Sequence, residues 1–418
     1  MLLFNSMVFR LKISDTVFLG LFLYLVLISI GYLTTNDISS LIVVLVRFVS
    51  IAGISFVLLV LLKMQKIKWR QLISPALFLM LVLYGISMSI WSGTFEMGQQ
   101  NLLTNFVVTA VGLVLISQPT REILPDSIAK KYVWYVLLGL MLSICTRGLK
   151  LDMPPYFVYD YQTWFEAVEI NYSQGMSKFF GLGAIAAAFL ISKSTRKYKR
   201  IFLACIVLML LTLSFLGGAR GESVVAALVA LTFLAYKFPF KFLVFFLAGM
   251  LVSYAPFIDI ESLLGNFVVF ERLKPILTES DFGHRDILLN QVLTLLLQEP
   301  KCLVFGCGFG YFQSYYDYDF GMYPHNFFAE FIIVFGLPIT MIFFFSVIGG
   351  IKIYYRRLGY MDLFVLIFLY LAIINLKSGY LFEDWILTAA LMHFSVLYFL
   401  KFKYQNNQAC LRLRNSVD

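Results

Sequence analysis

Apolar residues in this chain persist for whole helix lengths, where a soluble helix would show only a stripe. Runs near the length needed to cross a bilayer, about 17–25 residues, occur at 16–34, 38–62, 72–92, 103–118, 132–148, 176–192, 201–217, 222–236, 242–260, 326–350, 363–378 and 384–400. Most are separated by short polar segments, but two separators are long, 149–175 and 261–325. In lipid every backbone N–H and C=O must be satisfied internally, which only helices and closed barrels achieve. Unbroken apolar runs of this length predict helices. The pattern therefore predicts an all-α integral membrane protein of about twelve transmembrane helices, forming a single polytopic domain over 1–418. The first run ends in Thr34-Thr35-Asn36 without a small-residue cleavage site, which predicts an uncleaved span.

Composition supports this. The 418 residues are 60% hydrophobic and 14% charged, against about 25% charged in a typical soluble domain. Disorder, a collagen-like repeat, a disulfide scaffold and a water-soluble enzyme are all excluded. The net charge of +9 is gathered in clusters between alternate runs. These are Arg10 and Lys12; Lys63, Lys66, Lys68 and Arg70; Arg121, Lys130 and Lys131; Lys193, Arg196, Lys197, Lys199 and Arg200; Lys237 and Lys241; Lys352, Arg356 and Arg357; and Lys401, Lys403, Arg412 and Arg414. Lys and Arg favour cytoplasmic loops, so both termini are expected inside and both long segments outside. The same clustering argues against nucleic acid as a partner, which requires basic residues on one soluble face.

The segment 261–325 is the one loop that resembles a small domain. Within it, Arg285–Gln298 carries Asp286, Asn290, Thr294 and Gln298 on one i, i+4 stripe with Ile, Val and Leu around the rest. It is too short to span before Pro300, which predicts a helix lying on the bilayer or packed against the bundle. Cys302 and Cys307 share this loop, and the sequence leaves open whether they form a local disulfide.

Ionisable residues in or beside membrane spans are costly and mark function by default. On the outer side stand Arg220 in the Gly217–Glu222 hairpin, Arg272 and Lys274 early in the large loop, His284 and Arg285 at the amphipathic segment, and His325-Asn326 at re-entry, with Glu330 just beyond. Arg47 lies within the second run, Lys377 ends the eleventh, and His393 lies late in the last, where it reads as structural. Arginine forks bind phosphate oxygens bidentately and keep their charge, and histidine can take a proton from a hydroxyl near neutral pH. Together they predict group transfer from a lipid diphosphate, with a histidine taking the proton and arginines meeting the phosphate charge; His325 and Arg220, Arg285 and Arg272 are the candidates. Arg47, Glu330, Lys377 and Asn326 stand as supporting candidates. Asp317-Tyr318-Asp319 is a D-x-D too short to argue for a metal, and Gly306, Gly308 and Gly310 read as a tight loop with no strand–helix unit for a nucleotide. No metal and no cofactor are expected.

Three segments resemble the O-antigen ligase and O-antigen polymerase superfamily of bacterial envelope proteins. They are Leu216–Glu222, the loop Gly283–Ile287 followed by Pro300 and Phe305–Gly310, and Pro324–Phe328 through Phe335–Pro338. Arg272 followed by Gly283 adds an Arg-x10-Gly spacing. The resemblance implies an inverting, metal-independent membrane glycosyltransferase of GT-C-like type in the bacterial inner membrane, with its site facing the periplasm. The donor and acceptor would be undecaprenyl-diphosphate-linked glycans, and a chain-length regulator is a conceivable partner. Aromatic loop residues, among them Tyr156, Phe157, Trp164, Tyr311, Tyr315, Tyr316 and Tyr318, suit sugar stacking and favour polymerase over a ligase acting on lipid A–core. A lipid-linked-sugar flippase is the rival of another class. It predicts two related halves, which the unmatched 261–325 loop does not provide.

Overall fold

Helix dominates the computed structural model, which describes residues 73–94, 125–147, 149–150, 156–157, 174–216, 219–239, 285–318, 322–358, 362–379, 381 and 384–414. The expected runs 16–34, 38–62, 103–118 and 242–260 lie outside the described residues. The described helices are α1 (Ile73–Ser92), α2 (Pro125–Arg147), α3 (Gln174–Lys193), α4 (Lys197–Leu216), α5 (Arg220–Lys237), α6 (Arg285–Gln298), α7 (Pro300–Phe305), α8 (Tyr311–Tyr315), α9 (Phe327–Phe335), α10 (Leu337–Leu358), α11 (Leu363–Ser378) and α12 (Trp385–Arg414). One antiparallel pair of two-residue strands, β1 (Leu149–Lys150) and β2 (Tyr156–Phe157), sits in the first long loop. Four helices are long and apolar enough to cross a membrane: α1, α3, α4 and Leu337–Arg356 of α10. The chain is thus a helical membrane protein.

The chain divides into two compact units, Met1–Val60 with Pro119–Lys274, and Leu61–Gln118 with Pro275–Asp418. In the first, α3 packs against α2, α4 and α5. Its sequence explains this. The stretch Gly181-Leu182-Gly183-Ala184-Ile185-Ala186-Ala187-Ala188 is buried on every side, and small residues let helix backbones approach where no hydrophobic force separates helix from lipid. A Cβ on Gly183 would stand 2.9 Å from Val136 Cγ1 and 3.1 Å from Leu210 Cδ1, so α3 is wedged between α2 and α4.

In the second unit α10 and α12 form the main helix pair, and α1 packs on α9 and α12. Gly349 and Gly350 admit Tyr398 and the Phe394 backbone against α10. Ser346 and Ser395 share a hydrogen bond of 2.6 Å across the same contact. α6 sends Leu288, Val292, Leu295 and Leu296 into a core with Cys302, Cys307, Phe312, Ala329 and Ile333. Its polar stripe, Asp286, Asn290, Thr294 and Gln298, is exposed as expected. Cys302 and Cys307 are joined as a disulfide with Cα atoms 4.9 Å apart, which closes the question left by the sequence.

The run expected as one span at 326–350 is two helices, broken at Gly336 (φ 80). Pro338 has no N–H to give the Val334 carbonyl, four residues back, and a left-handed Gly336 cannot continue the helix. The carbonyls freed by the break are taken by the glycine loop. Cys307 N–H donates to Ile333 O at 2.7 Å and Gly308 N–H to Val334 O at 3.3 Å. Gly306 is required there, because a Cβ would collide with the Val334 carbonyl. Hydroxyls on α1 and in the turn just after it satisfy further polar backbone of the loop. Tyr84 donates to Phe305 O (2.6 Å), Ser92 to Cys307 O (2.7 Å) and Thr94 to Phe309 O (3.0 Å), while Ser89 Oγ accepts from Phe309 N (2.7 Å).

Candidate functional site

Asn326 is the N-cap of α9: its side-chain oxygen accepts from Ala329 N–H at 2.9 Å. That satisfies one of the orphan donors every helix start leaves. The supporting role expected of Asn326 is therefore, in the structure, a capping role, and it explains the His-Asn pair. With Asn326 fixed as cap, His325 is the last residue outside the helix, and it adopts φ 51. Left-handed backbone is costly for a side-chain-bearing residue and concentrates at functional sites. His325 and Asp317 are the two non-glycine residues with positive φ among those described.

Three contacts position the turn. The ring of Tyr323 lies 3.9 Å from that of His325, centroid to centroid. Tyr323 OH donates to Ser378 O at 3.1 Å, tying the turn to the end of α11, where Lys377 also lies. Glu330, buried in the first turn of α9, accepts from Leu381 N–H at 2.6 Å. Its negative charge also suits a helix N-terminus. Asp384 accepts from Ile386 and Leu387 N–H, each at 3.1 Å, and opens α12 close by. The turn before α9 is therefore tied to the end of α11, and α9 itself, through Glu330, to the segment that leads into α12.

Burial first, and the positive charge of Arg285 second, lower the pKa of His325 to about 4. Desolvation disfavours the charged imidazolium and a nearby cation repels it. Arg285 opens α6 and is half-buried. At neutral pH the pair is a neutral imidazole beside a permanent cation. Such a pair can take a proton from a hydroxyl and hold an anion.

Of the residues expected to act, His325, Arg285, Asn326, Glu330 and Lys377 all belong to the second unit, and Arg285 lies within electrostatic reach of His325. Arg220 is the first residue of α5 in the other unit, so the expected span at 222–236 begins two residues early and Arg220 belongs to the helix. The chain before it is held by serines. Ser177 Oγ accepts from Ala219 N–H (3.2 Å), and Ser177 and Ser214 exchange hydroxyl-to-carbonyl bonds of 2.9 and 2.7 Å. Arg47, Arg272, Lys274, His284 and Asp319 lie outside the described residues. Asp317 is exposed, and among the described residues no three His, Cys, Asp or Glu side chains converge. His393 packs against the rings of Phe364 and Phe394, a structural place. Sequence reasoning missed Tyr323 and Ser378 as positioning groups. Tyr323 stands before Pro324, which holds the preceding residue extended, but nothing in the sequence signals Ser378. No protein-family model matches this chain, and no curated protein matches it.

Proposed function

We propose that this protein is an O-antigen polymerase, an inverting and metal-independent glycosyltransferase of the inner membrane. It would join undecaprenyl-diphosphate-linked repeat units on the periplasmic face. The observation that carries the reading is the pair of a neutral His325, in a left-handed turn, and the guanidinium of Arg285. The buried disulfide supports an outward-facing loop, since such bonds persist in oxidising compartments.

In this mechanism an acceptor hydroxyl gives its proton to a ring nitrogen of His325. The hydroxyl oxygen forms its bond to the anomeric carbon of the donor, opposite the diphosphate. The bond from that carbon to the diphosphate oxygen breaks, and the electron pair leaves with the diphosphate. Arg285 meets the negative charge as it develops, which is where a preorganised donor lowers a barrier most. Donor binding also prepares the base. The diphosphate offsets the Arg285 charge that helps depress His325, so the imidazole becomes more basic when the donor is in place. Tyr323 and Asn326 position the imidazole.

The test is turnover by the purified protein in lipid, given an undecaprenyl-diphosphate repeat unit alone with EDTA present. A ladder of lengthened glycans is expected. Reaction only after lipid A–core is added would identify a ligase, and loss of turnover in EDTA would return Asp317 and Asp319 to the metal question. Arg285→Lys should lower turnover about tenfold, the loss of one charge-assisted hydrogen bond. A folded His325→Ala variant with full activity would remove the base from this mechanism.

A further inference from the structure

Just ahead of the His325 turn, three tyrosine hydroxyls are tied to α6. Tyr315 OH donates to Gln298 Oε1 at 2.8 Å, Tyr316 OH donates to the Gln291 carbonyl at 2.8 Å, and Tyr318 OH accepts from Gln291 Nε2 at 2.6 Å. The rings form a continuous pile. Tyr315 and Tyr316 meet edge to face at 5.0 Å, Tyr316 and Tyr318 stack at 5.7 Å, and Tyr311 lies 6.0 Å from Tyr315. Phe312, 2% exposed, supports the pile from beneath at 5.2 Å from Tyr316. Tyr315 is 36% exposed, and Tyr311, Tyr316 and Tyr318 are half-buried. Asp317, between two of these rings, is the second left-handed non-glycine residue.

This is an unusual way to place tyrosines. Rings that anchor a protein at a membrane surface keep their hydroxyls toward water. Here the hydroxyls turn inward to α6 and the rings keep part of their surface open. Because each hydroxyl is pinned, little rotamer freedom remains to be lost when something binds. Beside Tyr318, two amide atoms lack hydrogen-bond partners, Gln291 Oε1 and Gln313 Nε2, and Gln313 is only 2% exposed. Both atoms are themselves enclosed, so the surface open to a ligand is that of the rings, with exposed Gln298 and Asp317 beside them. A saccharide offers flat C–H faces to rings and hydroxyls to such side chains.

We infer that the Tyr311–Tyr318 pile on α6 is a saccharide subsite, holding a sugar of the glycan away from the reacting bond. This rests on the glycosyltransferase reading above and names where the chain is gripped. Gln291 and Gln298 lie six and 13 residues along α6 from Arg285, about 9 and 20 Å of helix, so the subsite runs from under two to nearly four turns beyond the cation assigned to the diphosphate.

The test measures binding without chemistry. The full-length protein in lipid nanodiscs is titrated with the free oligosaccharide released by mild acid from the lipid-linked repeat unit of the producing cell. Calorimetry gives the Kd and saturation-transfer NMR the contact. Tyr315→Ala, at the most open ring, should raise the Kd about tenfold, from loss of one aromatic contact. Tyr315→Phe, which keeps the ring, should change it less than about threefold. Absence of saturation transfer to the wild type overturns the subsite, as does unchanged affinity in a folded Tyr315→Ala. A lowered melting temperature in lipid with unchanged affinity would make the tyrosines membrane anchors and equally overturn it. Binding that persists in a protein unable to lengthen glycans would sink the polymerase reading and leave the subsite standing.

Discussion

Two turns that lead into helices, Ala219–Arg220 in one unit and Tyr323–Asn326 in the other, are held by different chemistry. At α5 no side chain caps the helix, and the N-cap residue Ala219 has an ordinary φ of −85. Its backbone is pinned from outside by Ser177, Ser214 and Ser223, whose hydroxyls bond to one another and to neighbouring carbonyls. At α9 the cap is local, supplied by Asn326, and the residue before it is forced left-handed. The first arrangement presents an arginine from a relaxed helix start. The second presents a histidine from a strained one, which only a surround of fixed parts can maintain. Those parts are the Tyr323–Ser378 and Glu330–Leu381 bonds, with the glycine loop bracing the far end of the same helix at Gly336.

The largest effect should come from attacking that surround. Gly306→Ala places a Cβ against the Val334 carbonyl in a left-handed backbone, and should cost about 3 kcal/mol from overpacking and backbone strain together. The readout is thermal unfolding in detergent, with His325-dependent turnover falling in parallel. In the serine-held turn, Ser214→Ala removes a buried donor and should cost about 1–2 kcal/mol, without altering any property of His325. Asn326→Ala should cost about 1 kcal/mol as a lost cap. It should also lower turnover more than stability, because His325 is then released from its turn. Equal losses in both would show that the cap has no part in positioning. The smallest effect is on the pH dependence of stability. The folded pKa of His325, about 4, lies below its usual 6.5, so the unfolded chain binds a proton first. Stability from this group is complete above about pH 6.5 and is lost as pH falls toward 4. The His325→Ala variant should lack that component in acid titrations followed by melting temperature.

Helices whose evidence is local were legible from sequence. Arg285–Gln298 appears with the bounds that its polar stripe and Pro300 set, and 363–378 appears unchanged. The break within 326–350 was also written locally, in Gly336-Leu337-Pro338, but continuous apolarity outweighed it. Apolar character reports lipid or core, and is silent on whether the backbone turns. The site was legible only as residue types. That His325 and Arg285 share an electrostatic environment follows from tertiary placement, and the Glu330–Leu381 bond joins positions 51 apart. The serines of α1 that satisfy the glycine loop look, in sequence, like mild interruptions of a span. Their purpose appears only when the loop, over 200 positions away, is seen against them.

The break at Gly336 also sets a height. α10 has 22 residues, about 33 Å at helical rise, which already matches a hydrocarbon core of about 30 Å. α9 adds nine more, about 13 Å, and an upright helix of both would overshoot the bilayer. α9 is therefore a separate helix, set off by the Gly336 break from a helix that is already long enough to cross by itself. Adding or removing one turn of α9 would displace its two ends by about 5 Å relative to each other while leaving the membrane-length helix untouched.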